Sequence, residues 1–417
     1  MLFRSLYPKS IALVKGDVSP HPKLTNFVPR IGFAYRVNDK LVIRGGYGIF
    51  TETLGRYARI QGGGPFQISE TYLNTIANGQ ALFSFPNPFP SSLANANIPS
   101  QNVTGYPLNP DNGKIHQFNL TIERQIHDTG FRLSYVGSRD HGMNYAIGVN
   151  KPQPGLTPFT AAARPYPQFV SGTFFRSDGE ARYNAMTFEV QRKVGQITFD
   201  SHFTWASNYN NYDSSQNFEN PYAPRPFGHD QYTPRRRFVM NAVWQIPAGK
   251  GRRYLADAPA IVDHILGGWQ LYWIGYLQSG FFFTPSFTGS DPSNTNTIGG
   301  RPDRNCNGNL PSSQRNVNHW FDSSCFAVPR QGRFGNAGSN ILEGPGYNMQ
   351  DISISKTFSL TERFKFTLTG AAANAFNHPN FLIPSANISA PGSVGIVGGV
   401  VEGASARQIE VRGRIDF

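Results

Sequence analysis

The sequence predicts an all-β protein whose strands form the wall of an antiparallel transmembrane β-barrel, and three observations carry that expectation. In the terminal strand Ile409, Val411, Gly413, Ile415 and Phe417 interleave with Gln408, Glu410, Arg412, Arg414 and Asp416. A period of two sends these sets to opposite faces, so one can meet lipid while the other lines a wet interior. Composition agrees: in 417 residues there are 43 Gly and 31 Pro, 13% are aromatic and only 15% charged. The mean hydropathy of -0.38 excludes a bundle of apolar helices, and no apolar run approaches the ~20 residues a spanning helix needs. Half-apolar barrel strands escape that test. The third observation is the spacing of the connections.

Eleven strands are expected, at 27–37, 41–50, 116–127, 130–138, 181–193, 195–206, 236–247, 268–280, 347–359, 363–376 and 406–417. Met186, Phe188 and Val190 interleave with Thr187, Glu189 and Gln191; Phe364, Phe366 and Leu368 interleave with Lys365, Thr367 and Thr369. The links at 38–40, 127–130, 194 and 360–362 are tight, whereas 51–115, 139–180, 207–235, 281–346 and 377–405 are long, and 248–267 is intermediate. Membrane barrels alternate in this way, with short periplasmic turns and long extracellular loops. Strands of about 11 residues tilted by ~45° span about 25 Å, the height of the apolar band. Aromatics near strand ends, among them Tyr47, Trp205, Trp244, Trp269 and Phe417, suit interfacial girdles.

If the last strand ends in the periplasm, counting backward makes residues 1–26 an extracellular loop remnant and 27–417 the C-terminal portion of a barrel. Single-chain bacterial barrels have even strand numbers, so eleven implies at least one more strand upstream. Residues 1–16 carry Arg4, Lys9 and Lys15 with only Ile11 to Val14 apolar, too short a run for an export signal.

Several phrases together resemble the TonB-dependent receptor superfamily, and within it the Oar-like outer-membrane proteins. They are Phe27-Val-Pro-Arg-Ile-Gly-Phe-Ala-Tyr35 followed by Ile43-Arg-Gly-Gly-Tyr-Gly-Ile-Phe50, Gln117-Phe-Asn-Leu-Thr-Ile-Glu-Arg124, Leu133-Ser-Tyr-Val-Gly-Ser-Arg139, Phe203-Thr-Trp-Ala-Ser207, Gly267-Gly-Trp-Gln-Leu271 and Asn374-Ala-Phe-Asn-His-Pro-Asn380. The resemblance implies a 22-stranded barrel of which about eleven strands are here, in the cell outer membrane, enclosing a plug and energised by the TonB complex. Neither plug nor TonB box is visible in this sequence, so TonB is a partner only if an N-terminal part supplies them. The resemblance also makes Phe417, with Ile415 and Gly413, a signal read by the barrel-assembly machinery. The implied activity is recognition and uptake of an extracellular ligand; the alternative is a surface-adhesion or structural protein that binds through the same loops.

Chemical motifs are sparse. Cys306 and Cys325 share the loop 281–346, and the cell surface permits disulfides. A bridge would close about 20 residues and stabilise by roughly 3 kcal/mol; two free thiols are the other reading. Asp303, Asn305 and Asn307 lead into Gly308 like the opening of a calcium loop, but the twelfth position is Gln314 rather than Glu, which favours an ordinary turn. No zinc spacing, nucleophile elbow or phosphate loop is convincing, so neither catalytic residue nor cofactor is expected, and the chain reads as no enzyme. The net charge of +12 is dispersed apart from Arg235–Arg237 and the 250–253 turn, which argues against nucleic acid. Arg235, Arg236 and Arg237 fall at the expected outer rim. There lipopolysaccharide phosphates could pair with them, or they could simply be solvated. Loop aromatics (Tyr209, Tyr212, Phe218, Tyr222, Trp320, Phe321) could stack on a ligand, or pack the loops together.

Overall fold

A computed structural model describes residues 26–52, 76–77, 80–81, 101–105, 107, 109, 112–212, 220–359, 361–404 and 406–417. The expected loop remnant at 1–26 lies, except for Asn26, outside them, as do Phe218 and Leu360.

Eleven strands follow one another around a single antiparallel meander: β1 (Arg30–Asn38), β2 (Leu41–Thr51), β3 (Lys114–Ile126), β4 (Thr129–Gly148), β5 (Phe169–Arg192), β6 (Ile197–Asn210), β7 (Arg236–Gln245), β8 (Trp269–Gln278), β9 (Tyr347–Ser359), β10 (Lys365–Ala373) and β11 (Gln408–Asp416). Each pairs with its sequence neighbours, and two short strands, Gln101–Gly105 and Gly228–His229, attach to β5 and β6. Among the described residues β1 pairs only with β2 and β11 only with β10, so both edges stand open.

The register keeps the alternation coherent across the whole sheet. Phe188 faces Phe203, Phe203 faces Phe238, and Phe238 faces Leu277; farther on, Leu271 meets Ile354, which meets Gly370, which meets Val411. The positions between are polar: Glu123 faces Arg132, Arg132 faces Glu189, and Thr369 faces Arg412. One face is therefore apolar from edge to edge and the other polar. Large side chains on the apolar face, such as Met186, Phe188 and Trp205, are exposed, and an uncovered apolar surface of that extent calls for lipid or a partner.

Glycines on this face sit beneath aromatic rings of the neighbouring strand. A Cβ at Gly45 would lie 2.5 Å from the Phe33 ring, and one at Gly137 would lie 2.4 Å from Phe118. Ring over glycine fills the gap and helps to fix the register.

Short links gather at one end of the meander. Asn38 Oδ1 accepts from the Lys40 amide at 2.9 Å, His127 takes a φ of 50°, and Thr361 Oγ1 accepts from the Phe364 amide at 3.0 Å. At the other end, one expectation needs correction. Residues 139–180 are not mainly loop: β4 and β5 pair as far as Gly148 and Thr173, past a bulge where Gly142 takes a φ of 73°. The long connections 281–346 and 377–405 are a packed cap. Phe283, Phe321, Cys325, Phe326 and Leu342 form its core, with Ile341, Ala386, Ile388 and Val394 against them. Period-two reading misses such a core because its residues come from loops with no regular repeat.

Candidate functional site

Cap and sheet enclose the place where chemistry concentrates. Cys306 and Cys325 are joined as a disulfide within the cap. Asp303 spends one carboxylate oxygen on Arg333, and the Asn307 amide oxygen accepts from the Asn309 amide at 3.3 Å. Asn305 donates its backbone amide to the Cys325 carbonyl at 2.8 Å, so these three groups serve the cap's own folding. Asn380 pins 377–405 to the sheet: its Oδ1 accepts from the Asn348 amide at 2.7 Å and its Nδ2 donates to the Ala404 carbonyl at 2.7 Å.

The loop aromatics pack. Phe321 is in the cap core, Trp320 Nε1 donates to the Glu343 carbonyl at 2.9 Å, and the Tyr222 hydroxyl donates to the Lys151 carbonyl at 2.6 Å. Tyr209, His229 and Phe282 form a stack with centroids 4.3 and 3.8 Å apart. Burial and the adjacent Arg235 hold the His229 imidazole down at about 4, against a smaller opposing pull from Glu343.

The three consecutive arginines separate because successive strand residues alternate sides. Arg235 pairs with Glu343 at 2.7 Å. Arg236 faces the apolar row, in register with Trp205, and Arg237 the polar row, in register with Thr204 and Gln278. Arg236 and Arg237 both line a groove of about 460 Å³ at this rim, with Phe203, Leu277, Trp320 and His378.

Beside Arg237 lies a vestibule that sequence reasoning missed. On the polar face, beneath the cap, a hollow of about 510 Å³ is lined by Ile274, Tyr276, Gln278, Phe281, Tyr347, Met349, Asp351 and Val401. The Tyr276 and Tyr347 rings meet edge to face at 5.5 Å, and the Arg237 guanidinium lies 5.7 Å from the Tyr276 centroid. Its Nε is buried without a hydrogen-bond partner among the described residues. The lining comes from β8, β9 and both cap segments, so no local motif could announce it. A guanidinium over a phenol ring at the edge of such a hollow suits an anionic, partly aromatic guest.

Toward the short-turn end the polar face carries an ion ladder. Arg44 approaches Glu123 at 3.3 Å, Arg132 bridges Glu123 and Glu189 at 2.9 Å each, and Gln191 donates to Asp200 at 2.9 Å. Phe417 follows β11, with its ring 6.4 Å from Phe364; Ile415 and Gly413 lie on the apolar face opposite Phe366 and Leu368.

A family model described as an outer membrane beta barrel domain matches residues 12–410. The chain belongs to that family. Its place is thus the outer membrane of a cell, and the apolar face of this outer membrane barrel meets lipid while the polar face looks inward. The barrel is not closed by the described strands. Solved structures with similar folds include the outer membrane transporter YddB from Escherichia coli, 11% identical over 94% of this chain and 40% of that one, TM-score 0.49. Another is the FrpB iron transporter from Neisseria meningitidis (F3-3 variant), 9% identical over 94% and 39%, TM-score 0.42. A third is the ferric citrate transporter FecA in the unliganded form, 9% identical over 93% and 38%, TM-score 0.40. The barrel chain spans 40% or less of the length of each of these three. No curated protein sequence matches it.

Proposed function

We propose that this chain is the C-terminal part, residues 27–417, of an outer-membrane receptor barrel of the TonB-dependent kind. In this reading it binds an extracellular ligand beneath the cap for uptake and catalyses no reaction. The observation that supports this most is the vestibule. An arginine whose Nε is buried without a partner among the described residues lies over the Tyr276 ring at the edge of this hollow, under a disulfide-tied cap. A cation with no ion-pair partner among the described residues favours an anionic guest. On this reading the open edges β1 and β11 continue into further wall, and Arg236 on the lipid side takes a lipopolysaccharide phosphate.

The adhesive alternative is favoured by Leu156, Ile298 and Tyr232, which stand exposed among the long loops and could grip a matrix or a neighbouring cell. The two readings separate in cells that carry the full-length gene or its deletion. Uptake requires energy-dependent depletion of a small anionic compound from the medium, reduced by Arg237→Met. Adhesion without any such depletion would favour the alternative and sink the uptake reading.

A further inference from the structure

Among the described residues, the link between β7 and β8 is the only short-end connection that is not a tight turn. Residues 246–268 fold back on themselves: the Tyr254 amide donates to the Pro247 carbonyl and the Gly249 amide to the Tyr254 carbonyl, each at 2.9 Å. A short helix, α1 (Ala260–Leu266), follows Pro259 and stops at Gly267, with Gly268 at a φ of 75°. Proline before the first turn and glycines after the last are ordinary helix boundaries. Asp263 Oδ1 accepts from the Lys250 amide at 2.5 Å and ties the helix to the basic turn.

The C-terminal end of α1 is clamped onto the apolar face of the sheet. Trp269 Nε1 donates to the Ile265 carbonyl at 3.0 Å, and Lys356 Nζ donates to the His264 carbonyl at 2.6 Å. Trp269 and Lys356 are register partners on the lipid-facing row, and Lys356 also lies 5.0 Å from the Phe358 ring centre. Lys356 is only 5% exposed. Its charge is met there by the helix carbonyl and by the nearby Asp263, which makes a lysine tolerable at that depth.

With that end fixed, the exposed residues of α1 are mostly apolar, His264 aside. Ile261 is 77% exposed, Ile265 59% and Leu266 50%, while Tyr254 and Leu255 are exposed in the preceding turn. Lys250, Arg252 and Arg253 are exposed beside them. We infer that residues 246–268 are a membrane-interface anchor. Ile261, Ile265 and Leu266 enter the acyl region of the leaflet at the short-turn end, and Lys250, Arg252 and Arg253 hold anionic phospholipid headgroups.

The occupant is lipid rather than protein because of where α1 sits. It lies over β8 and β9, outside the wall, while β10 and β11 continue the sheet to its edge. Additional wall strands would pair edge to edge with β11 and leave this surface uncovered. A plug would occupy the polar face, on the opposite side. Apolar residues in one stripe beside clustered cations are the chemistry of interfacial helices, and anionic headgroups attract such cations at close range.

Cys306 and Cys325 are bonded to each other, so neither competes with an introduced cysteine for a nitroxide. The test uses the full-length protein in vesicles of phosphatidylethanolamine with or without phosphatidylglycerol, with folding confirmed by heat-modifiable gel mobility. Nitroxides at Ile261→Cys and Ile265→Cys should be several-fold more accessible to oxygen relative to a water-soluble nickel complex than one at Arg252→Cys. Equal ratios at all three positions, or exclusion of both reagents at Ile261, would overturn the anchor in favour of water or covering protein. With phosphatidylglycerol the Ile261 label should move deeper, and the combined Lys250→Gln, Arg252→Gln, Arg253→Gln variant should abolish that shift. An unchanged depth in wild type would overturn the headgroup contact.

Discussion

The guanidinium of Arg237 lies 5.7 Å from the centre of the Tyr276 ring, two positions away from its register partner Gln278, with Nε buried and unpartnered. A group held this way costs stability in the empty protein. Arg237→Met should therefore raise stability by about 1 kcal/mol while reducing ligand uptake, as expected where a site is kept at the expense of the fold. Chemical unfolding of the purified protein measures the first effect. A loss of stability would mean that the arginine serves the fold and would remove it from the site.

The cap depends on its cross-link. Cys306 is exposed and its partner Cys325 buried, so Cys306→Ser cuts the bridge with the smaller packing loss. Closing a loop of this length stabilises by roughly 3 kcal/mol. Hydrogen exchange should rise across 281–346 and stay unchanged in β5 and β6. Uniform acceleration across the sheet would mean that the cap is not a separate folding unit.

Acid should loosen the same region from another side. His229 is held at about 4, below the usual 6.5, so the unfolded cap binds the extra proton first as pH falls. The stabilising contribution is complete above about 6.5 and is lost progressively down to about 4. Exchange protection around Phe282 and Asn340, whose Nδ2 donates to the His229 carbonyl at 2.6 Å, should decline over that window. His229→Gln should flatten the decline; an unchanged decline in that variant would assign it to another group.

Phe417 is 84% exposed beyond β11, with a loose ring contact to Phe364 at 6.4 Å between centres. Its deletion from the intact protein should lower the outer-membrane level without changing the stability of molecules that do assemble. Normal surface abundance would refute its role as an assembly signal.

The strands were legible because each is long and alternates, and the pairings carry that alternation from Phe188 through Phe203 and Phe238 to Leu277. The two-ended pattern of links was legible from the turn residues. Helix α1 was not, since it is barely two turns long and shorter than a period of 3.6 can mark. The vestibule was hidden for a different reason. Tyr276, Tyr347 and Val401 are distant in sequence and meet only because the meander and the cap fold together. The arginine triplet looked like one patch in the sequence, yet strand geometry divides it between two faces and a loop contact.

The most direct measurement is a cysteine scan along β8, through Gln270, Leu271, Tyr272, Trp273 and Ile274, in the reconstituted protein. Residues 270, 272 and 274 share the polar face and 271 and 273 the apolar one. A water-soluble maleimide should label the even positions, and a lipid-confined quencher should reach a probe on the odd ones. Labelling that does not alternate, or that alternates in the opposite phase, would contradict a wall with lipid on one side and an aqueous interior on the other.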